Sequence, residues 1–389
     1  MTADAAATRF TLTPQERGLR DAASAIAARH ATRSPEAGPL TLAALQAVFR
    51  ELAPPGYLGS TLPVDAGGHG LSPLAFAALV EGLAPDLTLL GNHSVQRYLH
   101  EFATPTQRAR FLPGLLAGDE VGAIAITEAQ AGSDLARLTT VARRVGAGWR
   151  LDGRKTWVTH GMLASTFIVL ARSGEIPGSF TRFLVPAATA GLERRALEPV
   201  GLRHLGFAEL ELNGVEIGDD MRLGAEGEGA SGAKSAFPIA RALAALQALR
   251  IASVALEIAA SYAQDRVVDG RTLAEQSLLQ RGHADLWARV EAARLLAYRA
   301  VADPGAADAP ALASAAKALG GELALDACRW ATDCLGSTAL VASHPLVRLQ
   351  ADARMMSVVD GTSVLNQLVV ARRGIARRRR PDASGSAAE

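Results

Sequence analysis

Cysteine is nearly missing from this chain, with 2 in 389 residues. Cys328 and Cys334 lie in one apolar stretch at a spacing that suits neither a disulfide framework nor a metal site, and a reducing compartment is expected. Excess charge is missing as well: 40 Lys and Arg stand against 39 Asp and Glu, a formal net charge of +1. Such a balance gives no support for nucleic acid as a partner. The N-terminal stretch lacks the charged segment and apolar core of a signal peptide. Charges also break the Ala-rich runs before membrane-spanning length, so a cytoplasmic protein with no membrane partner is expected. His93, His100, His204 and His344 are scattered and form no metal-ligand spacing. With aromatics at 5%, the abundant alanine points to closely packed helices.

What is present falls into three parts. Residues 1–118 read as a helical domain. Thr13-Pro14-Gln15-Glu16 forms a helix start, with further helical patterns at 41–53, 74–84, 91–103 and 106–117. LPVDAGGHGLSP (62–73) reads as a Gly/Pro-rich loop. Over 119–228 the pattern changes to short β-branched runs, a compact β domain of sandwich or barrel type. Asp152-Gly153 and Asn213-Gly214 are expected as hairpin turns in it. Residues 229–376 return to long amphipathic helices at 233–265, 272–302 and 309–335, joined by short breaks, as in an antiparallel four-helix bundle. The tail, 377–389, is charged and then Ser/Ala/Gly-rich, and is expected to be disordered. The fold class is α+β multidomain, an α–β–α order; fold alone does not give function.

Two stretches carry chemistry. In DARMMSVVDGTSVLNQLVVAR (352–372), Gly361 breaks one apolar helical run and a second restarts after it. Asp360 sits at the break. Taken alone it reads as the N-cap of the following helix; a buried carboxylate put to work as a base is the other reading. IAITEAQAGSD (124–134) leaves a strand for a loop of small and hydroxyl residues, a plausible cradle for a polar ring or phosphate. GRKTWVTHG (153–161) ends a second strand with Trp157 and Thr159 two residues apart. An indole beside a hydroxyl suits a planar heteroaromatic ligand. A core tryptophan and an edge hydroxyl are the plainer reading, and His160 reads as a hydrogen-bonded surface residue.

Together these stretches resemble the acyl-CoA dehydrogenase family. TEAQAGSD is similar to that family's TEPGAGSD, WVTHG to its WITNG, LPVDAGGHGL to its N-domain loop and VDGT (359–362) to its catalytic YEGT. The resemblance implies an FAD enzyme that takes an α-proton from an acyl thioester, on coenzyme A or a carrier protein, while hydride leaves the β-carbon. It implies Asp360 as the base. Flavin contacts would run through Ile124, Ile126, Thr127, Gly132, Ser133, Trp157, Val158 and Thr159. Arg266, Gly336, Ser337 and Thr362 complete the implied cofactor set, with Arg266 reaching the cofactor of a neighbouring subunit. Ser133, Phe237, Arg241 and Gly361 would meet the substrate. A homotetramer or homodimer is implied, with an electron-transfer flavoprotein or oxygen as acceptor.

The chain departs from the family pattern at four places. Asp360 replaces a Glu, so its carboxylate reaches ~1.5 Å less far. Asp269 stands where the family has Phe, Ser277 where it has Gln, and Asp333 where it has Gln, all on the adenosine-diphosphate side. Three readings stay open: a dehydrogenase for a functionalised acyl group, as in secondary metabolism; an oxidase or non-redox deprotonating enzyme of the same fold; and a flavin-less structural partner of an active paralogue.

Overall fold

The computed structural model describes residues 12–31, 38–174, 178–229 and 233–376, with the side chains of 233–238, 374 and 376 left aside. The expected tail at 377–389 lies outside the described residues, as does the side chain of Phe237.

Five helices open the described chain: α1 (Pro14–His30), α2 (Leu42–Leu52), α3 (Pro73–Leu83), α4 (His93–Phe102) and α5 (Pro105–Ala117). Their starts follow local chemistry. Thr13 accepts from the Glu16 amide at 3.2 Å while Glu16 accepts from the Thr13 amide at 2.7 Å. Thr104 caps α5 in the same reciprocal manner with Gln107, while Thr41 and Ser72 cap α2 and α3 through their hydroxyls alone. Helix α3 is buried on every side from Leu74 to Leu83, as its largely apolar sequence demands, and its one charge, Glu81, is paired with Arg294 at 2.8 Å. The 62–73 loop is irregular apart from one 3₁₀ turn, Val64–Ala66.

The middle of the chain forms one eight-stranded network in the order β6-β7-β3-β2-β4-β5-β8, with β1 added on β4. The strands are β1 (Gly122–Ala125), β2 (Val141–Val145), β3 (Gly148–Val158), β4 (Thr166–Ser173), β5 (Phe180–Pro186), β6 (Leu192–Ala196), β7 (Ala208–Gly218) and β8 (Arg222–Leu223). β5 pairs with β4 along its length, so β1 and β2 share the other edge, one after the other. The chain between them, residues 126–140, is thereby pushed out of the sheet.

The two expected hairpin turns are not turns. Asp152-Gly153 and Asn213-Gly214 face each other inside the long β3–β7 ladder, where the register slips between Leu151 and Gly153. Asp152 Oδ1 accepts from the Gly214 amide at 2.9 Å, and Gly153 takes φ +150° with Thr140 so close that a Cβ would lie 2.5 Å from its Oγ1. Glycine is used here for a bulge and a close approach. The actual β2–β3 turn is the two-residue link between Val145 and Gly148, with Gly146 at φ +55°.

The C-terminal part holds α6 (Ala233–Asp265), α7 (Ser277–Ala302), α8 (Ala309–Leu335), α9 (Pro345–Met356) and α10 (Ser363–Ala376). Residues 272–276, expected as the start of α7, instead finish a small β-hairpin, β9 (Val267–Val268) with β10 (Arg271–Thr272), and a 3₁₀ turn. Asp269 at φ +52° and Gly270 at φ +77° make its tight turn. Helix α8 is the centre of the bundle, packing on α6, α7, α9 and α10. Within α6, Ile239–Asp265 has the length and apolarity to cross a membrane, but 72% of that window is buried inside the protein, as in an ordinary core helix.

The three parts are pinned together by polar groups. Gln247 on α6 accepts from the Leu89 amide and donates to the Val80 carbonyl, each at 3.2 Å. On α9, Arg348 donates to Asp86 at 2.7 Å and Asp352 accepts from the Leu202 amide at 2.6 Å. Gly201 lets that contact form, because a Cβ there would lie 2.4 Å from the Ala351 backbone.

Candidate active site

Helix α9 ends in turns through Ser357 and Val359, and the chain then reverses through two left-handed residues, Asp360 at φ +53° and Gly361 at φ +97°. A non-glycine residue in that region costs about 1–2 kcal/mol, so the surroundings must hold it. They do so through backbone carbonyls. Arg241 Nε donates to the Asp360 carbonyl at 3.4 Å, Lys317 Nζ to those of Met356 at 2.9 Å and Gly361 at 3.4 Å, and Asn366 Nδ2 to that of Gly361 at 2.9 Å.

Asp360 is not the N-cap of α10. Thr362 takes that role, its Oγ1 accepting from the Leu365 amide at 3.3 Å. The Asp360 carboxylate is left free for other work and opens on a cavity of about 430 Å³. Burial pushes its acid strength down, raising its pKa, and the nearby Lys317 and Arg241 cations oppose that rise.

The cavity runs between the N-terminal helices, the middle sheet and α6. Leu89 to Val95 form one wall, Ile239, Leu243 and Ala244 another, and Ile124, Ile126 and Thr159 close the sheet side. Thr159 and Asp360 therefore border one space. Thr127, Gly132, Ser133 and Trp157 are not among its lining residues; Gly132, Ser133 and Trp157 are exposed and Thr127 half-buried. The Val158 side chain is buried in the sheet core, leaving only its backbone for a ligand. Arg266, Gly336, Ser337 and Thr362 are exposed and stand apart from the cavity wall. Arg241 and Gly361 are not among the lining residues either: Gly361 belongs to the loop and Arg241 holds it at the Asp360 carbonyl.

Three groups that hold the site are weakly marked in the sequence. Glu128, next to Thr127, is buried and accepts from Lys155 at 2.8 Å, the Thr139 amide at 2.7 Å and the Thr140 amide at 2.9 Å. Lys155 also donates to the Ile126 carbonyl at 3.0 Å, and the Thr156 amide to the Thr127 carbonyl at 2.9 Å. The expelled 126–140 loop is thus fastened to β3. Lys317 is the second group, with no exposed surface at all. The third is His160, which is not a surface histidine: it is 1% exposed, and its Nε2 accepts from the Gly91 amide at 3.1 Å. Burial holds its pKa down at about 3, so it is neutral and joins β3 to the N-terminal wall of the cavity.

Trp157 at φ +57° and His160 at φ +56° place two strained residues around Thr159. The indole is 49% exposed yet fixed on one side by Phe207, ring centroids 5.7 Å apart at 74°. A large, rigid and half-uncovered aromatic face two residues from a threonine that lines the cavity is a fitting seat for a flat ring.

Three family descriptions cover the chain in order: the N-terminal domain of acyl-CoA dehydrogenase over residues 13–119, the middle domain over 123–215 and the C-terminal domain over 227–375. The chain belongs to the acyl-CoA dehydrogenase family. It is 31% identical to a benzylmalonyl-CoA dehydrogenase of Aromatoleum aromaticum, over 93% of this chain and 98% of that one. It is 30% identical to a 3-sulfinopropanoyl-CoA desulfinase of Paraburkholderia xenovorans, over 93% and 96%. A glutaryl-CoA dehydrogenase structure from Mycobacterium smegmatis superimposes with a TM-score of 0.85 at 28% identity, covering 96% of this chain and 98% of that one. The protein is accordingly a flavoprotein oxidoreductase acting on CH–CH groups, with FAD as its cofactor. The Trp157–Thr159 seat fits the flavin ring.

Proposed function

We propose that Asp360 removes a proton from the carbon α to a thioester carbonyl, in a dehydrogenation of a functionalised acyl group. FAD, when bound, supplies the acceptor for the two electrons that leave the β-carbon as hydride. The observation that carries this reading is the shared cavity: Asp360 and Thr159 both line one largely apolar space. Burial brings the Asp360 pKa up from the ordinary carboxylate range, which makes it a stronger base than an exposed aspartate. Apolar side chains from α6 exclude water from the reacting carbons. Since an aspartate reaches ~1.5 Å less far than a glutamate, the acyl group has to approach the Asp360 loop more closely.

In this reading Thr127, Trp157 and Thr159 hold the flavin ring, with Ile124, Ile126, Gly132, Ser133 and Val158 beside it. Arg266, Gly336, Ser337 and Thr362 serve the rest of the cofactor, through subunit contacts in a homotetramer or homodimer. Ser133, Phe237, Arg241 and Gly361 border the substrate. The relatives named for benzylmalonyl-CoA and 3-sulfinopropanoyl-CoA support a functionalised acyl group. The carrier is coenzyme A or an acyl-carrier protein, and the acceptor an electron-transfer flavoprotein or oxygen, in the cytoplasm.

The desulfinase relative, matched over as much of the chain, favours a second reading in which the same loop deprotonates without net redox change. Anaerobic mixing with straight-chain, branched and carboxylated acyl thioesters, on coenzyme A and on a carrier protein, separates the two. Bleaching of the flavin absorption band by one of them is expected; product formation with an unbleached flavin would establish the second reading instead. Asp360→Asn should keep the yellow colour and lose substrate-dependent bleaching. Bleaching at the parent rate would place the base elsewhere.

A further inference from the structure

Helix α8 presents a stripe of three residues to the Asp360 loop: Ser314, Lys317 and Gly321, spaced three and four apart so that they share a face. Ser314 Oγ accepts from Arg241 Nη1 at 3.2 Å, and Arg241 in turn donates to the Asp360 carbonyl. Lys317 grips both flanks of the loop, at Met356 and Gly361. Gly321 lets the loop start come close, since a Cβ there would stand 2.9 Å from Ser357 Cα. The stripe has the form of a built support.

Hydrogen bonding alone does not require a lysine here. A neutral amide can also donate to a carbonyl, and burying an ammonium costs several kcal/mol unless an opposite charge offsets it. Among the described residues the charges that act on Lys317 are Asp360, which favours its cation, and Arg241 on α6, which opposes it. Two other carboxylates on these helices have partners of their own: Asp352 on α9 holds the Leu202 amide and Arg348, and Glu322 on α8 accepts from Gln367 of α10 at 3.2 Å. Asp360 is therefore the counter-charge.

We propose that Lys317 is a positioning residue whose buried ammonium both pins the Asp360 loop and keeps the Asp360 carboxylate ionised for proton abstraction. The inference rests on Asp360 being the base. Burial drives Lys317 down to about 8, so its charge, and the support it gives, should also fade in mildly alkaline solution.

The test separates charge from hydrogen bonding. Lys317→Gln keeps a donor for the carbonyls and removes the charge; Lys317→Arg keeps the charge; Lys317→Met repeats the charge removal with an apolar chain, in case the glutamine variant fails to fold. In each holoenzyme the titration of Asp360 is read as the carboxyl infrared band that disappears in the matching variant with Asp360→Asn. Losing the cation removes a force that favours ionisation, so the titration should move to higher pH by on the order of one pH unit or more in the Gln and Met variants. It should stay in place in the Arg variant. Deuterium uptake at the α-carbon of butyryl-CoA and glutaryl-CoA, measured from pH 5 to 10 in heavy water, should show its acidic limb moving in step. A titration unmoved by charge removal overturns the role of Lys317. Uptake that survives Asp360→Asn overturns the base assignment instead, whatever the infrared titration shows.

Discussion

Removing Lys155 alone should be among the more damaging single changes in the middle domain. The Lys155 side chain is 0% exposed and that of Glu128 2%, with 2.8 Å between them. Its partner gains from the contact: burial alone would raise the Glu128 pKa, but the Lys155 and threonine donors outweigh it and hold it at about 2, below the ordinary 4.5. Lys155 loses by its burial, which drives it from 10.5 down to about 8 against the pull of Glu128. Buried pairs of this kind commonly come out near break-even as a whole. The damage comes from leaving one charge alone.

Lys155→Met is therefore expected to cost about 3 kcal/mol, at the low end of the 3–5 kcal/mol for a broken buried pair, because Glu128 keeps its donors at Thr139 and Thr140. Glu128→Gln together with Lys155→Met should lie within about 1 kcal/mol of the parent. Urea denaturation of the parent, both single variants and the double variant at pH 7, with slopes matched, closes the cycle. A single Lys155→Met costing less than about 1 kcal/mol, or a double variant as unstable as the sum of the singles, would refute the reasoning. The stabilisation carried by Glu128 has a sign as well. Its folded pKa is depressed, so the gain is full above 4.5 and is lost as pH falls toward about 2.

Two further outcomes are expected. Asp352 is 2% exposed and burial raises it from 3.8 to about 6, so its contribution is present below 3.8 and lost as pH rises through 6. Asp352→Asn keeps an oxygen for the Leu202 amide, and its melting temperature relative to the parent should climb by several degrees between pH 4 and 7, reflecting up to about 3 kcal/mol; a pH-independent difference would argue against it. Gly153→Ala should lower stability by about 2 kcal/mol or more, since a Cβ would sit 2.6 Å from Thr140 Cα; unchanged thermal melting would show that the bulge yields.

Most helix positions, the β character of the middle region and the break at Gly361 were legible from periodicity, because most elements bury one face and their sequences repeat accordingly. The Asp-Gly and Asn-Gly pairs misled for a physical reason: a residue pair that favours positive φ fits a bulge as well as a turn, and only the long β3–β7 pairing decides between them. Asp360 was ambiguous for a similar reason, since cap and base call for the same residue type. The structure separates the two by giving the cap to Thr362.

Lys317, Lys155 and His160 show where sequence reading ends. A lysine in an amphipathic helix, or a histidine after a strand, is ordinarily solvated, and no local pattern says otherwise. Lys317 is marked only by its neighbours Ala316 and Ala318, small residues on a helix that leaves Glu322, Arg329 and Asp333 exposed along another face. That is the expected surrounding of a side chain drawn inward by a target elsewhere, here 39 residues away at the Met356 carbonyl. The base of this site could be placed from its motif, whereas the charge that would keep it ionised becomes visible only after α8 has packed against the loop.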